Sequence, residues 1–180
     1  MNAKPPLTIS TRRQSSLGWI TVFGLGHMKP ASGTWGSMPP VVIAGAMIAA
    51  GFGPVEHPIV YHAVLVTILL TFSAACVLQG DQAEARFGEK DPGQAVADET
   101  AGQCFSLMAL PAVAVQPGWH AALTLLGAFL AFRVLDIIKP WPANGLQRVP
   151  GGWGILLDDV IAGLYAMLAV QLMARVLVPW

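Results

Sequence analysis

Hydrophobic residues fall into five blocks along the chain, at 38–52, 59–78, 96–115, 120–138 and 154–178. A helix needs about 20 apolar residues to cross a bilayer, which the second, fourth and fifth blocks provide. The first block is short for a crossing, but Trp35, Pro39 and Pro40 could start its helix one turn earlier. This pattern predicts an all-α fold, a polytopic integral membrane bundle of about four to five hydrophobic helices.

Small residues recur inside these blocks and favour close contact between helices in lipid. They are Gly45, Gly102, Gly127 and Gly163. The same small-residue faces could pair two copies of the chain, so homo-oligomerisation stays open.

Composition excludes an ordinary soluble domain. Of the residues, 54% are hydrophobic and 11% charged, and the mean hydropathy is +0.59. Lys plus Arg and Asp plus Glu number 10 each, so no basic field favours nucleic acid and we expect no nucleic-acid partner. Cys76 and Cys104 lie in apolar runs without a CxxC spacing, as small buried residues do.

Polar residues 1–18 carry no apolar run that would make a signal peptide, and we interpret them as a cytoplasmic N-terminal tail. Residues 19–180 are then a single membrane-embedded domain. Basic residues occur in the tail and in alternate loops, at Lys4, Arg12, Arg13, Lys29, Arg86, Lys90, Lys139 and Arg148. The other loops, 53–58 and 116–119, contain none. Because basic loops stay in the cytoplasm, these loops predict a common cytoplasmic face, with Arg175 as the exception.

Unusual polar residues gather at the same ends of the hydrophobic blocks. They are Thr34, Ser37, Asp81, Glu84, Asp98, Glu99, Arg133, Asp136, Lys139, Asp158 and Asp159. Ionisable groups near lipid depth are costly and indicate function. We therefore expect them to converge on one site at the cytoplasmic end of the bundle.

Two carboxylate pairs suggest a metal site. Asp98 and Glu99 are adjacent, as are Asp158 and Asp159, so the members of each pair lie about 100° apart on a helix. Two such pairs facing each other would form an oxygen-rich site of the kind that holds Mg²⁺. The alternative is that these acids only mark solvated helix starts, where the helix dipole favours them.

Arg133, Asp136 and Lys139 are spaced three residues apart and line one helical stripe. Arg133 could bind phosphate with two hydrogen bonds while Lys139 supplies a point charge. The alternative is an Arg133–Asp136 ion pair, with Lys139 reaching towards the interface.

Glycines surround Thr34 and Ser37 in a loop that leads into the first helix, where backbone N–H groups could hold an anion. These glycines are Gly24, Gly26, Gly33 and Gly36. The loop is not a P-loop, because no Gly-Lys-Ser/Thr follows at the required spacing.

The chain lacks the usual signatures of covalent catalysis. No GxSxG motif occurs, neither cysteine has a downstream Arg at phosphatase-loop spacing, and three histidines fall near the outer side, at His57, His62 and His120. Metal-activated water attacking a phosphorus held by Arg133 and Lys139 fits these residues better.

The stretch from Asp81 to Asp91 reads as a solvated linker or as a helix extension over the site. We favour the linker, with Asp91 as the residue most able to contradict it.

Four segments together resemble the bacterial phosphatidylglycerophosphatase A family. They read PASGTWGS, DPGQAVADETAG, FRVLDIIKPWP and GGWGILLDDVIAG, occur in the family's order and cover residues 20 to 165. The approach to the first segment, GLGHMKPAS, departs from the family's pattern, so the resemblance assigns no role to His27.

The resemblance implies a Mg²⁺-dependent phosphatase of the bacterial inner membrane. It would convert phosphatidylglycerophosphate to phosphatidylglycerol, with a lipid substrate held in the bilayer. The implied metal-binding or water-activating residues are Asp98, Glu99, Asp158 and Asp159. Asp136 would be a further ligand or orienting group, Arg133 and Lys139 would bind phosphate, and Thr34 would shape the loop around it.

Two other functions fit the composition. A small transporter or channel could use buried carboxylates to relay protons or cations, but it would place its charges near the midplane rather than at one end of the blocks. A non-catalytic membrane scaffold would not require so many polar residues in one plane.

Overall fold

The structure is a computed structural model that describes residues 16–116, 118–147 and 149–177, and these residues are all-helical where they are regular. The helices are α1 (Ser32–Ala49), α2 (Pro58–Phe87), α3 (Ala97–Leu107), α4 (Trp119–Ile138), α5 (Ala143–Leu146) and α6 (Gly152–Leu177). Short 3₁₀ segments occupy Val22–His27 and Ala112–Val115. Of the predicted tail, residues 1–15 lie outside the described residues, as does Arg148.

Three helices are long and apolar enough to cross a membrane: α2, α4 and the Gly152–Val176 part of α6. They correspond to the second, fourth and fifth hydrophobic blocks. The first and third blocks form the shorter helices α1 and α3, and α3 ends after 11 residues. The predicted all-α membrane bundle is confirmed, and the described residues form three spanning candidates, the shorter helices α1 and α3, and the four-residue helix α5.

Two prolines lie inside α1, which begins at Ser32 rather than within the apolar run. Proline lacks an N–H group, so Pro40 cannot bond the carbonyl of Gly36 one turn earlier. The Thr100 hydroxyl of α3 donates to that carbonyl instead, at 2.6 Å. The carbonyl that Pro40 leaves without a partner inside α1 thus accepts a hydrogen bond from α3.

The predicted linker after the second block is wrong, because α2 continues as a helix to Phe87. The residues from Asp81 to Phe87 include good helix formers such as Gln, Ala, Glu and Arg. The helix stops at Gly88, whose φ of 77° is the left-handed conformation that glycine adopts readily. Only the segment after Gly88, which contains Asp91, is non-helical before α3.

Successive long helices run in opposite directions. At one end of the bundle, Gly33 near the start of α1 contacts Arg133 near the end of α4. At the opposite end, the Tyr61 hydroxyl near the start of α2 donates to the carbonyl of Leu107 at the end of α3, at 3.1 Å. This alternation brings the polar ends of the blocks to one side of the bundle.

Helices α3 and α6 pack closely because glycines face each other between them. A Cβ atom at Gly102 would overlap the Asp159 carbonyl oxygen, and one at Gly163 would overlap the Gly102 carbonyl oxygen. Gly127 on α4 meets nothing within 4 Å. The expectation of close packing at glycines therefore holds for Gly102 and Gly163 but not for Gly127.

A methyl group added at the α3–α6 contact should separate these helices. Gly102→Ala is expected to lower the free energy of unfolding in detergent by about 1–3 kcal/mol, because the α6 backbone cannot move aside as a side chain could. Gly127→Ala is the matched control and is expected to be neutral or slightly stabilising. Thermal unfolding of the two variants compares them directly, and equal stabilities would contradict the close packing.

Candidate active site

Three carboxylates meet at the polar end of the bundle. Asp98 and Glu99 lie in the first turn of α3, and Asp159 lies near the start of α6. One oxygen from each carboxylate falls within 4.8 Å of the others. Asp98 and Asp159 are only 4% and 2% exposed. We call these three residues the acidic cluster.

Each member of the acidic cluster keeps a buried oxygen without a hydrogen-bond partner among the described residues. These atoms are Asp98 Oδ1, Glu99 Oε2 and Asp159 Oδ2. Burial and the neighbouring Glu99 raise the pKa of Asp98 well above its usual value, and burial raises the pKa of Glu99 to about 7. Unpaired carboxylate oxygens at this spacing fit a hard divalent cation, which would neutralise their repulsion.

Arg133 lies beside the acidic cluster and is anchored by three neighbours. Its Nη1 is 2.7 Å from Asp136 Oδ2, 3.9 Å from Glu99 Oε1 and 3.4 Å from the Ser37 hydroxyl. Gly33 lacks the side chain that would collide with this guanidinium group. The ion pair anticipated as the alternative for Arg133 is present, and it orients Arg133 towards the cluster.

Lys139 pairs with Asp158 rather than standing free. Its Nζ is 2.5 Å from Asp158 Oδ2 and 3.9 Å from Asp91 Oδ2. Burial alone would lower the pKa of Lys139, but the hydrogen bond and negative charge of Asp158 outweigh it and raise that pKa. Lys139 is therefore charged, and Asp158 lies outside the acidic cluster, where its Oδ1 has no hydrogen-bond partner within the described ranges.

Asp91 reaches the site from the segment between α2 and α3. It has a positive φ of 51°, and its carboxylate faces Lys139. Burial raises its pKa from 3.8 to about 6, although Lys139 acts in the opposite direction. The residue identified as most able to contradict the linker interpretation therefore belongs to the site.

The glycine-rich stretch divides into two parts. Gly33 and Ser37 border Arg133, and Thr34, next to Gly33 in the first turn of α1, is half-buried. Gly26 instead packs against the backbone of Gln94. The role of Ser37 was not predicted individually, although its spacing of four residues from Gly33 places both on one face of α1.

The structure brings together most of the predicted site residues. Asp98, Glu99 and Asp159 form the acidic cluster, and Asp136 lies within hydrogen-bonding reach of Asp159 and pairs with Arg133. Asp158 and Lys139 form a neighbouring ion pair. His62 lies at the opposite end, where it contacts the Ala109 backbone.

Comparison with known proteins identifies a family and several relatives. Residues 19–174 match the model of the family described as PgpA, phosphatidylglycerophosphatase A. A phosphatidylglycerophosphatase A of Haemophilus influenzae is 35% identical over 153 residues, covering 82% of each chain. The Escherichia coli phosphatidylglycerophosphatase A is 45% identical over 78 residues, covering 43% of this chain and 41% of that one.

A third relative carries a different name. A Bacteroides thetaiotaomicron protein, provisionally named a phosphatidylinositol-3-phosphatase, is 30% identical over 150 residues, covering 83% of this chain and 87% of that one. No solved structure shows significant similarity to this chain.

The raised pKa of Asp91 makes the stability of the fold depend on pH. The folded protein binds the Asp91 proton more tightly than the unfolded chain, so ionisation destabilises the fold as pH rises from about 4 to about 6. Asp91→Asn removes this penalty and should stabilise the metal-free protein by about 1–2 kcal/mol at pH 7.5, after allowance for partial exposure.

Thermal unfolding of both proteins between about pH 3 and pH 8 measures this difference. The gain should shrink as the pH falls from about 6 to about 4 and vanish near pH 3, where Asp91 is mostly protonated in both states. A variant less stable than the wild type at pH 7.5 would contradict the assignment.

Proposed function

Since the chain belongs to the phosphatidylglycerophosphatase A family and is a lipid phosphatase, we propose that it hydrolyses phosphatidylglycerophosphate with the help of Mg²⁺. The products are phosphatidylglycerol and inorganic phosphate. The observation that carries the proposal is the acidic cluster with its unpaired oxygens, buried next to Arg133 in a bundle of apolar helices.

Asp98, Glu99 and Asp159 are the proposed metal ligands. The three carboxylates are close together, and each keeps one buried oxygen without a hydrogen-bond partner in the described part of the chain, which matches the oxygen donors that Mg²⁺ requires. When bound there, a divalent cation supplies charge to stabilise the transition state and lowers the pKa of a bound water. Asp158 was also predicted as a ligand, but its pairing with Lys139 supports a neighbouring role.

Arg133 is the proposed phosphate-binding group. Its guanidinium can donate two parallel hydrogen bonds to phosphate oxygens. Asp136, three residues later on α4, fixes the orientation of the guanidinium through their ion pair. Ser37 and Gly33 border the same guanidinium, so the start of α1 forms one wall of the phosphate site. Thr34 lies on that wall and is proposed to shape it.

Asp158 is proposed to act as the general base of the reaction and Lys139 as its general acid. The oxygen of water forms a bond to phosphorus while the bond from phosphorus to the glycerol oxygen breaks. Asp158 Oδ1 has no hydrogen-bond partner among the residues that the structure describes and can accept the proton from water, and Lys139 can donate a proton to the leaving glycerol oxygen. The proton taken up by Asp158 then passes to the neutral Lys139 amine, so that both side chains regain their starting charges.

The proposed location is the bacterial inner membrane, with the site facing the cytoplasm. Lys139 lies at the site end of the bundle, Arg86 lies in the last turn of α2 on the same side, and Lys90 follows that helix. The loops at the opposite end, 50–57 and 108–118, contain no Lys or Arg in the sequence. This asymmetry supports a cytoplasmic site.

Loss of one cluster carboxylate should remove metal-dependent turnover. The purified protein is expected to release phosphate from phosphatidylglycerophosphate micelles with Mg²⁺ and to stop with excess chelator. Asp159→Asn should lower kcat by at least about 100-fold, because one metal ligand is lost. Glu56→Gln, at the opposite end of the bundle, is the matched control and should keep the wild-type rate.

Two results would count against this proposal. Wild-type turnover by a folded Asp159→Asn protein would remove the acidic cluster from the mechanism. An absence of phosphate release by the folded wild type, with Mg²⁺ or without it, would favour the transporter alternative instead.

Arg133 should not be replaceable by lysine. Arg133→Lys keeps the charge but loses the paired donors that meet both phosphate and Asp136, so kcat/KM should fall by about 100-fold. Arg175→Lys, on the last turn of α6, is the control. Steady-state kinetics on the same lipid substrate measure both, and equal kcat/KM values would exclude a phosphate-binding role for the guanidinium.

A further inference from the structure

We propose that three aromatic residues, Trp19, Phe23 and Phe72, contact the acyl chains of the bilayer and thereby hold the first turn of α3 in place. We call these residues the aromatic cluster. They belong to the segment before α1 and to α2, and no role follows for them from the phosphatase site itself. The catalytic part of this inference rests on the proposed function, whereas the lipid contact does not.

The aromatic cluster is a continuous apolar surface. The ring centroids of Trp19 and Phe23 are 4.8 Å apart, and those of both residues lie 6.3–6.4 Å from Phe72. Trp19 is 47% exposed and Phe23 is 69% exposed. An exposed aromatic surface of this kind indicates a binding partner rather than water.

The backbone holds Phe23 outward at a conformational cost. Val22, Phe23 and Gly24 have consecutive positive φ angles of 47°, 54° and 99°. Only the glycine adopts such angles readily, so the surrounding contacts must hold the other two residues. Ile20 and Val22 are buried beneath the turn, which leaves the Phe23 ring on the outside.

The position of Phe72 identifies the partner as lipid. Phe72 lies half-buried inside α2, one of the three helices able to cross a membrane, and the exposed residues Leu70 and Leu78 on other faces of that helix are also apolar. Residues 17–26 contain no charged side chain. The aromatic cluster therefore continues the apolar surface of a membrane-spanning helix, as acyl chains require.

The aromatic cluster lies at about the depth of the acidic cluster. Helices α2 and α6 are antiparallel, and Gly152 contacts Cys76 and Gly80. Asp159 is seven residues further along α6, about 10 Å at 1.5 Å per residue, which corresponds to the level of Phe72 on α2. Lipid at this depth would border the site from the side.

The backbone of Ile20 connects the aromatic cluster to the site. Its carbonyl accepts hydrogen bonds from Val96 N at 2.9 Å and from Ala97 N at 3.1 Å, immediately before Asp98. Its own N–H donates to Gln79 Oε1 of α2 at 3.0 Å. A partner that holds Trp19 and Phe23 therefore also holds the start of α3 and the two carboxylates on it.

Fluorescence quenching tests the lipid contact without any turnover. The full-length wild type and Trp19→Phe are placed in vesicles whose lipids carry bromine on the acyl chains, and the difference between them gives the Trp19 signal. We expect bromine to quench that signal strongly. A Trp19 signal that acyl-chain bromine leaves unchanged would overturn the proposal.

Paired substitutions at Phe23 test the coupling to the site. In vesicles, Phe23→Ser should lower kcat about tenfold with little change in the KM for lipid substrate, and amide exchange at residues 96–99 should accelerate. Phe23→Leu keeps an apolar side chain and should stay within twofold of wild type in both measurements. Equal rates and equal exchange in the two variants would overturn the coupling.

The two experiments separate this inference from the proposed function. A wild-type protein that shows Trp19 quenching but releases no phosphate would refute the phosphatase mechanism and leave the lipid contact standing. Phosphate release without quenching of Trp19 would refute the lipid contact and leave the phosphatase mechanism standing. If Phe23→Ser fails to fold, the Trp19 signal and the exchange at 96–99 in wild-type vesicles of different acyl-chain length still decide the matter.

Discussion

The mutual repulsion of carboxylates buried in an apolar bundle is the constraint on which this structure depends. Asp98, Glu99 and Asp159 approach one another where lipid and protein exclude most water, so each charge is both poorly solvated and close to others of the same sign. Arg133 and Lys139 offset part of this repulsion from the end of α4. The cluster oxygens that have no hydrogen-bond partner among the described residues are the atoms to which the proposed cation would bind.

The short helix α3 makes this arrangement achievable. It is buried along most of its length and is packed between the longer helices, so its two acids enter the bundle without needing a full membrane crossing. Gly102 lets α6 approach so closely that the Asp159 backbone lies against α3. The same contact that brings the helices together thus also determines the distance between carboxylates on different helices.

The sequence predicted the helical blocks and the convergence of polar residues well, because both follow from hydrophobic periodicity and alternating direction. It could not separate Asp158 from Asp159. Adjacent residues lie about 100° apart on a helix, and which one faces α3 depends on the rotation of α6, which the glycine contact sets. The prediction of anion binding by the glycine-rich stretch included Gly26, which packs against the backbone of Gln94 instead. The composition of a loop shows that it can turn tightly, but it does not show which neighbour the loop contacts. The extension of α2 to Phe87 was the less favoured of two interpretations, because a run of charged residues is typical of a solvated linker as well as of an exposed helix end.

The proline interruption in α1 has a consequence for how this chain can change over time. Pro40 leaves the Gly36 carbonyl free, and Thr100 uses it. A residue with an N–H group at position 40 would share that carbonyl with the Thr100 hydroxyl, which also donates to the Val96 carbonyl at 3.1 Å. The effect of a substitution at position 40 on the contact between α1 and α3 is therefore expected to depend on whether position 100 carries a hydroxyl group.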